Sequence, residues 1–98
     1  MKFFLRILPN VKETIKELKE KPGLEKRYNA VKKALGYLAN NPRHQSLQTH
    51  PYTSLYGPNG EKVFEAYAEN DTPAAYRIFF YYGAVRQEIV VMSITPHP

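Results

Sequence analysis

The sequence predicts one α+β domain, with a short N-terminal strand and an antiparallel αα-hairpin followed by an antiparallel β-sheet. Two observations predict this class. Apolar residues recur at helical spacing over residues 11–38, whereas nine of the thirteen aromatic residues lie from Tyr52 onward, mostly in alternating or β-branched surroundings. A chain of 98 residues is long enough for one modest core. We therefore expect a single domain over residues 1–98.

The first elements are predicted to be a strand over residues 3–8 and a helix from Asn10. Asn10 is the expected N-cap because Glu13 lies three residues later, which is the capping-box spacing. The Lys-Pro-Gly sequence at residues 21–23 is expected to end this helix.

A second helix is expected over residues 24–39, antiparallel to the first because only a Pro-Gly turn joins them. Gly36 lowers the helix propensity, so we expect close contact with another element at that point. The steps of four and three between apolar residues predict one buried seam. It comprises Leu24, Tyr28, Val31, Leu35 and Leu38.

Residues 43–51 show neither the helical nor the strand spacing of apolar residues and are expected to form an ordered loop anchored by Leu47. The strands that follow are expected to be consecutive antiparallel neighbours, with the last one central because it is apolar on both faces. Two helices can cover only one face of such a sheet, so the opposite face is the candidate site. Alternation along residues 75–82 puts Arg77 on the face opposite Tyr76, Ile78 and Phe80, so we expect Arg77 on the uncovered face if those three pack beneath the helices. The expected strand ranges are 52–56, 61–69, 75–82 and 88–95.

The composition excludes several classes of protein. Hydrophobic residues make up 43% of the chain, more than is typical of segments that remain disordered. The chain has no cysteine, which excludes disulfides, thiol nucleophiles and thiolate metal sites. No apolar run is long enough to cross a bilayer, and residues 2–8 are too short and too charged for a signal peptide. We expect a cytoplasmic protein with no membrane association and no cofactor.

Positive charge is concentrated in the first half of the chain. Residues 1–50 hold eleven Lys and Arg against four Glu, whereas residues 51–98 hold three against five acidic residues. A basic surface raises the encounter rate with anionic partners and the affinity for them. The first half is therefore expected to meet a nucleic acid or an acidic protein segment. The alternative is that these charges only form solvated helix faces.

Three segments carry a resemblance to a known family. They are the loop Leu47-Gln48-Thr49-His50 leading to Gly57, the strand Ala75-Tyr76-Arg77-Ile78-Phe79-Phe80, and the hydrophobic last strand that ends just before His97. In this order, and over nearly the whole chain, they resemble the RelE/ParE toxin superfamily. The resemblance implies the toxin of a bacterial type II toxin–antitoxin system. It also implies a cognate antitoxin as partner, which we expect to be a small acidic helical protein.

Members of the superfamily differ in their targets. The resemblance implies either an mRNA endoribonuclease (an mRNA interferase), free or ribosome-associated, or an inhibitor of DNA gyrase. We expect the endoribonuclease, with attack of the RNA 2′-hydroxyl on the phosphate and with RNA, alone or on the ribosome, as partner. The alternatives are a non-nucleolytic protein that binds a target such as gyrase, and a regulatory interaction module. After residue 50 only Lys62, Arg77 and Arg86 are basic, fewer than the ribosome-dependent nucleases place on the sheet.

The resemblance also implies catalytic residues. Arg77 corresponds to the strand arginine that contacts phosphate; the alternative is that it pairs with a carboxylate such as Glu65 on a neighbouring strand. His97 lies where histidine-using relatives keep a catalytic group, and its alternative is a frayed chain end. His50 is a further catalytic candidate, with capping or turn packing before Pro51 as the alternative. Histidine suits proton transfer near neutral pH, and arginine offers a fork of donors to phosphate.

Substrate-binding residues are expected on the sheet. Lys62 is a candidate phosphate contact, with a solvated hairpin residue as the alternative. Tyr67 and Tyr81 are candidates for stacking on RNA bases, although aromatic residues in strands are more often core residues. His44 is a weaker catalytic candidate than the other two histidines, with an exposed helix exit as the alternative. No metal site is expected, since the three histidines are scattered along the chain.

Overall fold

A computed structural model describes residues 2–70 and 72–96 of the chain. His97, one of the predicted catalytic residues, lies outside the described residues. Within them, two α-helices and a five-stranded sheet form the fold, which confirms the predicted α+β class. The elements in chain order are β1 (Phe4–Ile7), α1 (Pro9–Glu20), α2 (Glu25–Asn40), a short 3-10 helix (Gln45–Leu47), β2 (His50–Tyr56), β3 (Lys62–Tyr67), β4 (Tyr76–Tyr82) and β5 (Glu88–Pro96).

The five strands form one mixed sheet in the order β1-β5-β4-β3-β2. Strands β2 to β5 are consecutive antiparallel neighbours, as predicted. Strand β1 pairs with β5 in parallel, and the chain between them, with both helices, provides the long connection that a parallel pair requires. Strand β5 therefore lies inside the sheet, between β1 and β4, and not at an edge, which accounts for its apolar residues on both faces.

Both helices pack on one face of the sheet. Val11 and Leu18 of α1 and Val31 and Leu38 of α2 are buried there. We call the opposite side of the sheet the open face. It carries a smaller cluster, formed by Val63, Phe79, Tyr81 and Val90. The helix-facing core contributed by the sheet consists of Ala66, Ile78, Phe80, Ile89, Val91 and Ile94.

Helix α1 begins one residue earlier than the sequence pattern indicates. Its N-cap is Leu8, and Pro9 occupies the first turn, so the prediction that Asn10 caps the helix is wrong. Proline favours this position because its fixed φ suits a helix and its missing N–H is not needed there. The Asn10 side chain instead donates from Nδ2 to the Met92 carbonyl, 3.1 Å away. It therefore ties the helix to β5.

The seam of α2 is only partly as predicted. Val31 and Leu38 are fully buried, whereas Leu35 is half-buried at the margin of the core. The expected close contact at Gly36 is wrong, because a Cβ atom built there would meet nothing within 4 Å. Gly36 lies four residues after Lys32 on the same exposed helix face, which explains the open space.

An irregularity in β5 keeps its core residues inward. Phe79 pairs with Ser93, but the next residue, Phe80, pairs with Val91, so Met92 is an extra residue in β5. Side chains in a regular strand alternate, so Val91 and Ile94 could not share a face without such a bulge. Both belong to the helix-facing core. The bulge thus allows Ile89, Val91 and Ile94 all to face the helices.

Candidate functional site

Strand β4 divides its side chains between the two faces of the sheet. Ile78 and Phe80 belong to the helix-facing core, whereas Phe79 and Tyr81 belong to the cluster on the open face. Arg77 alternates with Ile78 and therefore lies on the open face. The prediction that Arg77 lies on the face of the sheet that the helices leave uncovered is confirmed.

Three ionisable side chains meet on the open face. Arg77 donates from Nη1 to Glu65 Oε2 at 2.6 Å, and His50 Nε2 lies 2.7 Å from Glu65 Oε1. The Glu65 side chain is 4% exposed, that of Arg77 is 12% exposed and that of His50 is 43% exposed. We call these three residues the open-face network. The pairing of Arg77 with Glu65, considered above as an alternative, is confirmed.

The strand register brings the network together. His50 is the first residue of β2 and directly opposes Glu65 of β3. Arg77 of β4 opposes Tyr67, so Glu65 is its diagonal neighbour, which a long side chain reaches. The prediction that β2 begins at Tyr52 is wrong by two residues. This difference moves His50 from a loop onto the strand ladder.

Both ring nitrogens of His50 face oxygen acceptors. Nδ1 lies 2.7 Å from the backbone carbonyl of Gln48, and Nε2 faces the Glu65 carboxylate. A carbonyl oxygen only accepts hydrogen bonds, as does an ionised carboxylate. The arrangement is therefore fully satisfied when His50 carries a proton on each nitrogen.

Arg77 is held in place by more than its ion pair. Its guanidinium carbon lies 4.9 Å from the centre of the Phe79 ring, within the range of a cation–π contact. Its Nε atom is buried and has no hydrogen-bond partner among the described residues. The network thus combines a buried, compensated carboxylate with a half-exposed histidine. A buried carboxylate that holds one ring nitrogen fixes the orientation of a histidine.

The three predicted substrate-binding residues differ in their exposure and in their position relative to the open-face network. The Tyr67 ring centre lies 5.8 Å from that of His50, so Tyr67 borders the network. Tyr81 is 4% exposed and belongs to the open-face cluster, which limits its surface for stacking on a base. Lys62 is exposed, and its Nζ lies 5.7 Å from the ring centre of Phe64, a residue packed on the helix-facing core.

Two groups at the site were not among the predicted site residues: Glu65 of the open-face network and the Gln48 carbonyl that contacts His50. A single acidic residue between Phe64 and Ala66 was the signal for Glu65, since a charge inside an apolar strand needs a partner. The Gln48 carbonyl had no such signal. It is oriented by the left-handed backbone of Gln48, with φ of 48°, at the end of the 3-10 helix.

A second group of contacts holds the loop before β4. Arg27 of α2 donates from Nη1 to the Ala74 carbonyl at 3.1 Å and from Nη2 to the Pro73 carbonyl at 2.8 Å. Ala74 has φ of 55°, a left-handed conformation that costs a non-glycine residue about 1–2 kcal/mol. We call this the loop clamp. The clamped loop borders a cavity of about 510 Å³ that also contacts Tyr67.

The part of the chain that the structure describes contains neither a cluster of metal-ligating side chains nor a helix that could span a membrane. No three His, Asp or Glu side chains there gather in a way that could hold a metal ion. None of the helices there has the length and apolar character needed to span a membrane.

Comparison with known proteins identifies the fold. No family model matches the chain, and no curated protein matches it. Among solved structures, the chain is similar to a chain of the archaeal RelE–RelB complex from Pyrococcus horikoshii, with a TM-score of 0.66 and 15% sequence identity. The match covers 98% of this chain and 96% of the other. This protein therefore has a RelE-like fold.

Proposed function

We propose that this chain is the toxin of a toxin–antitoxin pair and that it cleaves RNA at the open face. One observation carries the proposal: a half-exposed histidine is held by a buried carboxylate beside an arginine. The RelE-like fold, which spans nearly the whole chain, supports the toxin assignment.

The proposed reaction is transfer of the RNA phosphate to its own 2′-hydroxyl. The bond from the 2′-oxygen to phosphorus forms while the bond from phosphorus to the 5′-oxygen breaks. One group takes the proton of the 2′-hydroxyl, and another delivers a proton to the departing 5′-oxygen. The products are a 2′,3′-cyclic phosphate and a 5′-hydroxyl. The reaction needs an acid, a base and a cation near the phosphate.

We assign the acid to His50, which is satisfied in its present contacts when both ring nitrogens carry protons. Its Nδ1 proton becomes available to the 5′-oxygen when substrate replaces the Gln48 carbonyl. Arg77 has five N–H donors and uses one for Glu65, so we assign others to the phosphorane. We assign the general base to His97, which the family resemblance implies is a catalytic group, and Tyr67 stacks on a neighbouring RNA base.

The proposed partner is an acidic antitoxin. The solved neighbour contains RelB bound to RelE, and residues 1–50 of this chain hold eleven basic against four acidic residues. An acidic segment that binds this half should lose affinity as salt is added, because exposed charges are screened over about 10 Å at 0.1 M salt.

One observation favours a second candidate, a protein that binds a target such as gyrase without cleaving RNA. The ring nitrogens of His50 and one guanidinium nitrogen of Arg77 are already engaged within the protein. Such engagement stabilises the open face but leaves fewer donors for a substrate. The two candidates predict different first effects in a cell, namely fragmentation of mRNA for the nuclease and loss of DNA supercoiling for the gyrase-binding protein.

Induced expression tests the proposal. We expect growth arrest together with early fragmentation of cellular mRNA, while supercoiled plasmid stays unchanged. The purified protein should cleave RNA with or without ribosomes and leave cyclic phosphate ends. Loss of plasmid supercoiling with intact mRNA would support the gyrase-type alternative. Absence of both growth arrest and RNA cleavage would reject the toxin assignment.

A further inference from the structure

A cleft lies beside the open-face network. It has a volume of about 500 Å³ and lies between the 3-10 helix region and the end of the β3–β4 ladder. This size falls within the range of about 300–1,000 Å³ that is usual for small-ligand sites. Its lining includes Arg43, His44, Thr49, His50, Lys62 and Tyr82. We call it the basic cleft.

The charged side chains that line the basic cleft are positive. Arg43 and Lys62 line it, and no Asp or Glu side chain lines it among the described residues. Over residues 2–70 and 72–96, neither Arg43 nor Lys62 forms an ion pair. The cavity beside the loop clamp differs, because Glu69 lines it. With two basic side chains and no acidic one among its described lining residues, the basic cleft is suited to an anion.

The neutral groups of the basic cleft are oriented by local contacts. His44 stacks on Tyr37, with ring centres 3.9 Å apart and an angle of 9° between the planes. Its Nδ1 accepts the Ser46 backbone N–H at 3.1 Å, so its Nε2 carries the proton and is a donor. Thr49 is fixed by a hydrogen bond from its hydroxyl to the Pro42 carbonyl at 2.6 Å. These contacts hold the wall of the cleft in one arrangement.

His50 connects the basic cleft to the open-face network. It lines the cleft and also contacts Glu65. Phe64 also lines the cleft and packs on the helix-facing core, so a chain-like anion in the cleft would pass the edge strand β2 at His50 to reach the open face. Lysine and arginine bind phosphate through point charge and through a fork of donors, respectively.

We propose that the basic cleft binds the phosphate backbone of single-stranded RNA next to the phosphate that is cleaved. This inference rests on the proposed function for the identity of the ligand. Arg43 and Lys62 contact the backbone, and His50 marks the point where the strand passes onto the open face. The cleft thereby adds two positive side chains to the single arginine of the open-face network.

The test compares two double variants that remove the same charge. Arg43→Ala with Lys62→Ala changes the basic cleft, and Lys16→Ala with Lys19→Ala changes exposed residues of α1. Binding of a fluorescent oligoribonucleotide with 2′-O-methyl groups throughout is measured by anisotropy at several salt concentrations. This probe cannot undergo 2′-hydroxyl attack, so binding is separated from cleavage.

We expect the cleft variant to bind at least tenfold more weakly than the wild type, and the α1 variant to bind within about twofold of it. The slope of log affinity against log salt should become shallower by about 1.4 for the cleft variant, at about 0.7 for each lost phosphate contact. Equal losses in the two variants would overturn the proposal, because they would indicate non-specific attraction.

The outcomes separate this inference from the proposed function. If the wild type cleaves RNA and the cleft variant binds and cleaves like it, the cleft proposal alone fails. If the wild type cleaves no RNA but the cleft variant still loses affinity for the probe, the cleft proposal holds and the nuclease proposal fails. A selective loss of affinity for poly-glutamate, with RNA binding unchanged, would assign the cleft to an acidic protein segment and overturn the RNA proposal.

Discussion

His50 and Glu65 directly oppose each other on β2 and β3, and their side chains meet at 2.7 Å. The contact joins a half-exposed histidine to a carboxylate that is almost fully buried. A buried carboxylate without partners is costly, so Glu65 needs both His50 and Arg77. The same contacts that compensate this charge also fix the orientation of the candidate acid.

Arg77→Ala should destabilise the protein by about 3 kcal/mol, because removing one partner of a buried ion pair leaves the other charge poorly compensated. Chemical denaturation measures the free energy of unfolding. Arg86→Ala is the matched control, since Arg86 is exposed in the turn before β5, and it should change stability by less than about 0.5 kcal/mol. Equal effects of the two variants would show that the ion pair contributes nothing to stability. Activity losses in Arg77→Ala must therefore be compared with Arg77→Lys, which keeps the charge.

Leu38→Ala should cost about 2–5 kcal/mol, as expected for a fully buried leucine. Leu35→Ala should cost less than half as much, because Leu35 lies at the margin of the core. The two residues lie on the same helix, so helix propensity changes equally in both variants. Thermal or chemical unfolding of the two proteins checks the ratio. Equal costs would mean that the seam of α2 is buried along its whole length.

Arg27→Ala should release the loop before β4. Two carbonyl oxygens lose a charged donor, and hydrogen bonds of this kind contribute about 1.5–3 kcal/mol when buried and less when exposed, as here. Amide hydrogen exchange at Ala75 and Tyr76 should accelerate by at least tenfold, with exchange in β5 unchanged.

Arg27→Lys should fail to restore protection, because a lysine cannot reach both carbonyls with a planar fork. Lys26→Ala provides the control at an exposed neighbouring position. Protection that survives in Arg27→Ala would show that the loop is held by its own backbone contacts.

The packing of two helices on one face of a sheet could be predicted from the sequence, because the spacing of apolar residues differs between helices and strands. Alternation along β4 correctly placed Arg77 opposite Ile78, and Leu47, the expected loop anchor, is 1% exposed. The N-cap prediction failed although its signal was present, since Pro9 at the first turn favours a start at Leu8.

The candidate site was less accessible to sequence reasoning because it depends on register. The meeting of His50 with Glu65 requires β2 to begin before Pro51, a residue that is usually unfavourable inside a strand. Proline is tolerated there because β2 is an edge strand of the sheet. The parallel pairing of β1 with β5 likewise depends on distant parts of the chain, which no local pattern describes.

The rate of RNA cleavage by His50→Gln, measured in single turnovers at saturating protein, tests the central claim most directly. Glutamine can still donate a hydrogen bond to Glu65 but cannot transfer a proton, so circular dichroism should match the wild type. Glu13→Gln is the control, since Glu13 is exposed on α1 and lies in neither the open-face network nor the basic cleft. We predict that His50→Gln slows cleavage by about 10²–10⁴-fold, as loss of a general acid does, while Glu13→Gln cleaves at nearly the wild-type rate. An unchanged rate in folded His50→Gln would contradict the account.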